Sequence, residues 1–372
     1  MGNLSNAKNS STYIKGFDGL RAISIIMVLL AHLELYSPFF ERHPQYGRFI
    51  YLFSGVVGVN IFFCLSGFLI TWLLVNEKRT YGNINFRRFY IRRFFRLLPP
   101  VLIFFLLLVP LVLLHVLDIS KWSILLSFMY LYNYVPDIWY SAELGSTWSL
   151  ALEEQYYLCW PFVIGFFRNR SKLFLSAFVV VLLCIVAKFF FKDANFSING
   201  KTIFLGNSFH VDRFFLPAAG PIMIGSIFAL LSINTTSVFL LKMKRRWLFL
   251  LAPCLYVFPL YTPKSLLPFS DLVQAIGISI LLLYLFVCNN KNNVFASMLE
   301  FSPLSYVGRI SYGIYVYQSF FLTTGSEGEL TVQQFPLNIV LTIGVAIVSY
   351  HCWEKPVMRY RDRVLTKFNL NR

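Results

Sequence analysis

The first apolar stretch of the chain contains three ionisable residues, Asp18, Arg21 and His32. Eleven positions separate Arg21 from His32, so on an α-helix the two side chains fall about 20° from alignment and about 16 Å apart along the axis. One face therefore carries a guanidinium near one end and an imidazole near the other. A guanidinium can hold a phosphate or carboxylate. A neutral imidazole can take a proton from a hydroxyl, or be acylated itself. Asp18, three residues before Arg21, is placed to pair with it. The bland alternative is an arginine reaching to headgroups and a histidine satisfied within a core. Sharing a face argues for a cavity instead, because ionisable groups at membrane depth are functional by default.

Further polar groups lie in other segments. Arg87-Arg88-Phe89-Tyr90-Ile91-Arg92-Arg93-Phe94-Phe95-Arg96 interleaves cations with rings just before the apolar run that opens at Leu97. Guanidinium forks suit phosphate and the rings suit a flat base, although a patch attracted to anionic lipid has the same composition. Glu153 lies one helical turn from both Ser149 and Tyr157, which makes a polar stripe on an otherwise apolar helix. Glu153 and Glu154 could equally serve as helix-dipole partners. Asn60 and Ser66 stand among the glycines of Gly58–Gly67 and need partners inside a bundle.

The elements that position these groups follow from composition. Of 372 residues 57% are hydrophobic and 13% are charged, against roughly a quarter charged in soluble proteins. The net charge of +16 could mean nucleic acid, but 40 Phe and repeated apolar runs fit spanning helices far better, so no nucleic-acid partner is expected. The reading is an all-α integral membrane protein of about ten transmembrane helices, at 17–36, 52–75, 97–117, 149–167, 172–191, 214–232, 246–261, 271–288, 303–323 and 337–354. Segment 122–140 is aromatic but broken. It fits an interfacial or re-entrant piece better than an eleventh span, because a span there would turn the basic cluster at 242–246 outward. With ten spans, most of the 33 Lys+Arg fall on one side, about a threefold bias, which makes both termini cytoplasmic. Residues 1–16 are then an N-terminal tail, 17–354 a single transmembrane domain, and 355–372 a basic C-terminal tail. The N-terminus has neither a cleavable signal nor the myristoylation pattern. The six cysteines are isolated within apolar segments, and no metal site is indicated.

Taken in order, these segments resemble the acyltransferase-3 family of integral-membrane O-acyltransferases. The matching residues are Phe17-Asp18-Gly19-Leu20-Arg21-Ala22 with His32, Gly58-Val59-Asn60-Ile61-Phe62-Phe63 and Leu65–Thr71, then Phe89–Arg93 and Arg96–Pro99. Trp148-Ser149-Leu150-Ala151-Leu152-Glu153, Gly308–Tyr315 and Trp353-Glu354-Lys355-Pro356 follow. The resemblance implies acyl transfer, usually acetyl from acetyl-CoA as donor substrate and without a metal, onto a hydroxyl of an envelope or exported carbohydrate or glycolipid. It carries Arg21 and His32 over as site residues, and Arg93 with Arg96 as the cytoplasmic arginine pair. Members often have a fused extracytoplasmic esterase-like domain, for which this chain is too short. His210-Val211-Asp212-Arg213 departs from the usual pattern, leaving Asp212 and Arg213 as weak candidates.

The expected arrangement, in a bacterial inner membrane, has CoA phosphates at Arg92, Arg93 and Arg96 and the pantetheine arm passing Arg21. His32 is the general base, and Glu153 orients it or holds the acceptor; Asp18, Asn60, Ser66, Ser149 and Tyr157 support the site. The acceptor is open between lipopolysaccharide, capsule, another polysaccharide and a small glycoside, and the acyl group between acetyl, succinyl and longer chains. An acyl-histidine route is an alternative to direct transfer. The rival class is a proton-coupled transporter or flippase using Arg21, His32 and Glu153 as a relay, but no internal repeat accompanies it.

Overall fold

Apolar runs bounded by Gly, Pro, Asn and Ser become helices whose polar stripes turn inward. The computed structural model describes residues 13–33, 42–43, 49, 52–193, 197–198, 201–204, 207–233, 246–262, 267–288, 293–322 and 330–367. The helices are α1 (Phe17–His32), α2 (Gly55–Tyr81), α3 (Phe86–Leu113), α4 (Lys121–Phe128), α5 (Thr147–Phe166) and α6 (Arg170–Asp193). After these come α7 (Gly220–Ser232), α8 (Arg246–Val257), α9 (Leu267–Val287), α10 (Ser302–Phe321), α11 (Leu337–Ser349) and α12 (Lys355–Lys367). Short helical turns at Phe215–Ala218 and Val294–Leu299 precede α7 and α10.

Each of the ten predicted segments holds a helix among the described residues. Among the described residues, five stretches are long and apolar enough to cross a membrane: Gly55–Tyr81, Phe86–Leu113, Arg170–Phe191, Phe269–Val287 and Leu337–Lys367. Segment 122–140 forms the eight-residue α4 and then 3-10 turns at Tyr132–Tyr134 and Asp137–Trp139. At 1.5 Å per residue α4 is about 12 Å long, far below the ~30 Å hydrocarbon layer.

The fold is that of an all-α membrane protein, with one small antiparallel sheet, β1 (Ser197–Ile198), β2 (Lys201–Phe204) and β3 (Asn207–Phe209), in the connection from α6 to α7, where Thr202 lies opposite Phe209. The segment 214–232 is interrupted at Ala219, where Pro221 at the start of α7 cannot continue the preceding hydrogen-bond ladder. The basic segment from 355 is helical, α11 continuing through a π turn at Tyr350–Glu354 into α12. Residues 1–12, 34–36, 323, 368–372 and the basic positions Arg48, Lys242, Lys244, Arg245, Lys264 and Lys291 lie outside the described residues.

Glycines set the packing at the centre. A Cβ on Gly67 would stand 1.9 Å from the Ile222 carbonyl oxygen, and one on Gly225 would stand 2.3 Å from that of Cys64. Backbone contact of this kind lets α2 and α7 approach to a distance no larger residue permits. Gly308 meets the Asp18 carbonyl in the same way, at 1.9 Å from a built Cβ, locking α10 onto the start of α1. The apolar window of α2 is accordingly 67% buried, whereas that of α6 is 17% buried and faces outward. Asn60, Ser66 and Thr71 of α2 therefore point into the protein.

Candidate functional site

α1, α2, α5 and α10 surround two chambers that lie end to end. The first, with about 110 Å³ open to the centre of a water-sized sphere, is lined by Arg21, Ser66, Arg93, Arg96, Glu153 and Tyr157 together with Arg309, Tyr312, Tyr350 and Glu354. The second, about 300 Å³ by the same measure, is lined by His32, Tyr140, Ser146, Trp148, Arg213 and Ser319. Val59 and Tyr315 belong to both walls and form the partition between them. Ser149 Oγ and Tyr315 Oη share a hydrogen bond that holds the partition tyrosine to α5.

The cation chamber is built from local rules. Asn85 caps α3 by accepting from the Arg88 N–H at 2.9 Å, so the arginine-rich run becomes the opening turns of a helix. Arg93 and Arg96, three residues apart, share one face of it. The Arg93 guanidinium lies 4.5 Å from the centre of the Tyr157 ring, a cation–π contact that fixes its plane. Tyr157 donates to Glu153 and also lies 3.1 Å from Ser66 Oγ, and Ser66 in turn donates to Glu153. The carboxylate is thus held by two hydroxyls from α2 and α5. Arg21 pairs with Asp18 at 2.8 Å, which turns the guanidinium toward the chamber while the carboxylate stays buried. Glu354 accepts from Ser349 at 2.9 Å, and its charge acts on Arg96. Tyr312 donates to the Leu97 carbonyl at 3.2 Å, tying α10 to α3.

The other chamber has a different chemistry. His32 Nδ1 lies 2.8 Å from the Val28 carbonyl oxygen. A carbonyl can only accept, so Nδ1 carries the proton and Nε2 keeps its lone pair. That is the tautomer a general base needs. Arg213 lies over two rings, 5.4 Å from the centre of Tyr140 and 5.7 Å from that of Trp148. Among the described residues no carboxylate lines this chamber.

Most of the residues singled out in the sequence are thereby brought together, but not all, and not in one place. Arg21, Arg93, Arg96, Glu153, Ser66, Ser149 and Tyr157 line the first chamber, and His32 and Arg213 line the second. Arg92 is exposed and lies among Arg88, Arg361 and Asp362, away from both. Asp212 is exposed, with its carboxylate 4.0 Å from His210. Asn60 is buried outside the linings, and its Nδ2 has no partner among the described residues. The expectation that Glu153 orients His32 is corrected: the partner of Nδ1 is the Val28 carbonyl, and Glu153 is bonded to Ser66 and Tyr157.

Sequence reasoning did not select Arg309, Tyr315 or Glu354 as site residues. Two of them carried a usable signal, since Arg309 and Glu354 are charges inside apolar segments. Arg213, a weak candidate in the sequence, lines the second chamber from the turn that follows the sheet. Among the described residues no three His, Cys, Asp or Glu side chains converge to hold a metal ion.

A family model described as an acyltransferase domain matches residues 14–353. A Bacillus subtilis (strain 168) protein named "Putative peptidoglycan O-acetyltransferase YrhL" is 29% identical over 93% of this chain and 55% of its own length. Staphylococcus aureus "O-acetyltransferase OatA" is 25% identical, with 94% of this chain and 58% of the relative covered. The Listeria monocytogenes "Peptidoglycan O-acetyltransferase OatA" is 33% identical over 45% of this chain and 27% of its own length. The chain thus spans little more than half the length of the first two relatives. No solved structure matches it. Matched from residue 14 to residue 353, the chain belongs to the acyltransferase-3 family of integral-membrane O-acyltransferases.

Proposed function

We propose that the chain moves an acyl group, acetyl in the simplest case, from a CoA thioester held in the arginine chamber to a carbohydrate hydroxyl held in the His32 chamber. The observation that carries this reading is the shared partition: among the described residues, Val59 and Tyr315 line both chambers. A donor and an acceptor entering from opposite ends would meet there. The first chamber is far smaller than a whole CoA. The nucleotide phosphates would therefore stay at the mouth with Arg96, Arg93 and Arg309, while the narrow pantetheine arm passes Arg21.

His32 Nε2 takes the proton of the acceptor hydroxyl as its oxygen attacks the thioester carbonyl. The tetrahedral intermediate collapses with rupture of the C–S bond. The thiolate leaves and recovers the proton from the imidazolium, so His32 ends neutral. Glu153, with Ser66 and Tyr157, holds the Arg93 side of the donor chamber and takes no part in the proton transfer. The charge bias of the loops supports an orientation in which the arginine chamber opens to the cytoplasm, the multi-pass chain lies in the cytoplasmic membrane, and the acceptor comes from the other face. Of the acceptors the sequence left open, the relatives' names favour peptidoglycan over lipopolysaccharide. The transporter reading has no comparable observation in its favour.

Mass spectrometry of wall glycans from cells carrying the intact chain or H32A tests the reading. One acetyl mass per modified sugar is expected with the intact chain and none with H32A in the membrane at equal amount. Retained acetylation in H32A would overturn the role of the imidazole.

A further inference from the structure

The second chamber contains an arginine that transfer to a neutral sugar does not need. Arg213 is half-buried in the 3-10 turn Val211–Arg213, between the sheet and α7, and no ion pair involves it among the described residues. Its neighbour Asp212, which could have neutralised it, is exposed and points toward His210. The guanidinium is instead held by the faces of Tyr140 and Trp148. Ring faces orient a guanidinium without using its N–H donors, which lie in the plane and stay available. A half-buried cation without a counter-charge is unfavourable unless a ligand supplies one. Among the described residues the other polar groups of the chamber, Ser146, Ser319, Tyr140, Trp148 and the His32 imidazole, carry hydrogen-bonding groups suited to sugar hydroxyls.

We infer that the second chamber takes an anionic carbohydrate, with a carboxylate or phosphate near the hydroxyl to be acylated, and that Arg213 recognises that charge. Arg213 makes a planar, two-pronged contact with the acidic group. The flanking rings of Tyr140 and Trp148 offer apolar faces to the sugar. The reacting hydroxyl is then directed toward His32, and a neutral sugar of the same size binds without this anchor. The inference rests on the proposed function for the word acceptor, but the binding it asserts does not depend on catalysis.

The test uses the full chain in lipid nanodiscs. The probes are a disaccharide of N-acetylglucosamine and N-acetylmuramic acid, the methyl ester of the same disaccharide, and N-acetylglucosamine 1-phosphate. Binding is measured by calorimetry, and acyl transfer is measured separately with acetyl-CoA. Wild-type protein should bind the free acid at least tenfold more tightly than its ester. That ratio should fall to near one in R213Q and be partly kept in R213K. The phosphate arm decides the source of the charge: binding tighter than that of the free acid assigns the site to phosphate, and weaker binding assigns it to carboxylate. Equal binding of acid and ester by wild-type protein, or an acid-to-ester ratio unchanged in R213Q, would overturn the inference. Selective binding without acyl transfer to any probe would instead count against the proposed function and leave the Arg213 site standing.

Discussion

The two chambers share a wall and little else. The first gathers Arg21, Arg93, Arg96 and Arg309 around the carboxylates Glu153 and Glu354. The second has one arginine, one imidazole, hydroxyls and rings. Charges packed as closely as those of the first suit a ligand with several negative charges, and the carboxylates keep the arginines from repelling one another when the ligand is absent. A base needs the opposite surroundings. A carboxylate beside His32 would favour the imidazolium form, and among the described residues none lines the second chamber. Under the proposed function, this separation would keep phosphate binding and proton abstraction from interfering, with Val59 and Tyr315 between them.

The contrast can be broken most severely at His32. H32A should lower acyl transfer by at least ~10²-fold, the low end of what a general base contributes, with donor binding changed less than threefold. Rates in membrane vesicles and donor calorimetry measure the two quantities, and a matching loss of donor binding would mean the chambers are not separate. Next in size are R96Q and R93Q. Each removes a charge-assisted contact of ~1.5–3 kcal/mol, so KM for acetyl-CoA should rise by about 10–100-fold while kcat moves less. An unaltered KM would make these arginines lipid anchors. The partition itself is probed by Y315A, which joins the two spaces. Acetyl-CoA hydrolysis without acceptor should rise several-fold as water reaches the thioester, and thiol release read with a chromogenic disulfide would show it. A sealed Y315A would place the boundary elsewhere.

The smallest effects concern the frame that aligns the chambers. G67A forces a methyl against the Ile222 carbonyl and should destabilise the α2–α7 pair by about 1–3 kcal/mol. Alanine at Gly344 on α11 meets nothing within 4 Å, so G344A should match the parent or gain about 0.5–1 kcal/mol from helix propensity. Thermal unfolding in the same detergent compares them, and a G67A midpoint equal to that of G344A would mean the close approach is not maintained.

How much of this could be read beforehand depended on distance along the chain. The face shared by Arg21 and His32 was legible because helical periodicity is a local rule, and so was the pairing of Asp18 with Arg21. Arg93 and Arg96 were legible as a pair, but Arg92 was not separable from them. Whether a residue of a basic run faces the chamber or α12 depends on where Arg361 and Asp362 come to lie, more than 250 residues later. The spacing of Glu153 from Ser149 and Tyr157 left an inward polar stripe and a helix-dipole role equally open, and its partner on α2 does not follow from that spacing. Its bond to Ser66 joins positions 87 apart, and no periodicity reports on that. Tyr315 looks in the sequence like one more aromatic in an aromatic chain. Its importance comes from its position between two spaces that four helices must first enclose.

The π turn at Tyr350–Glu354 also makes the length of this segment informative. It accommodates one residue more than the same stretch of α-helix, so α11 and α12 are out of phase by about 100° relative to an uninterrupted helix. Met358 and Glu354 line the arginine chamber from this offset stretch. Loss of a single codon between 350 and 354 would let the helix run straight, and everything beyond would rotate by that angle. The deletion would leave hydropathy and charge almost unchanged while turning Met358 off the chamber wall. At this one place a gap is more damaging than most substitutions, and aligned sequences should keep its residue count more strictly than its residue types.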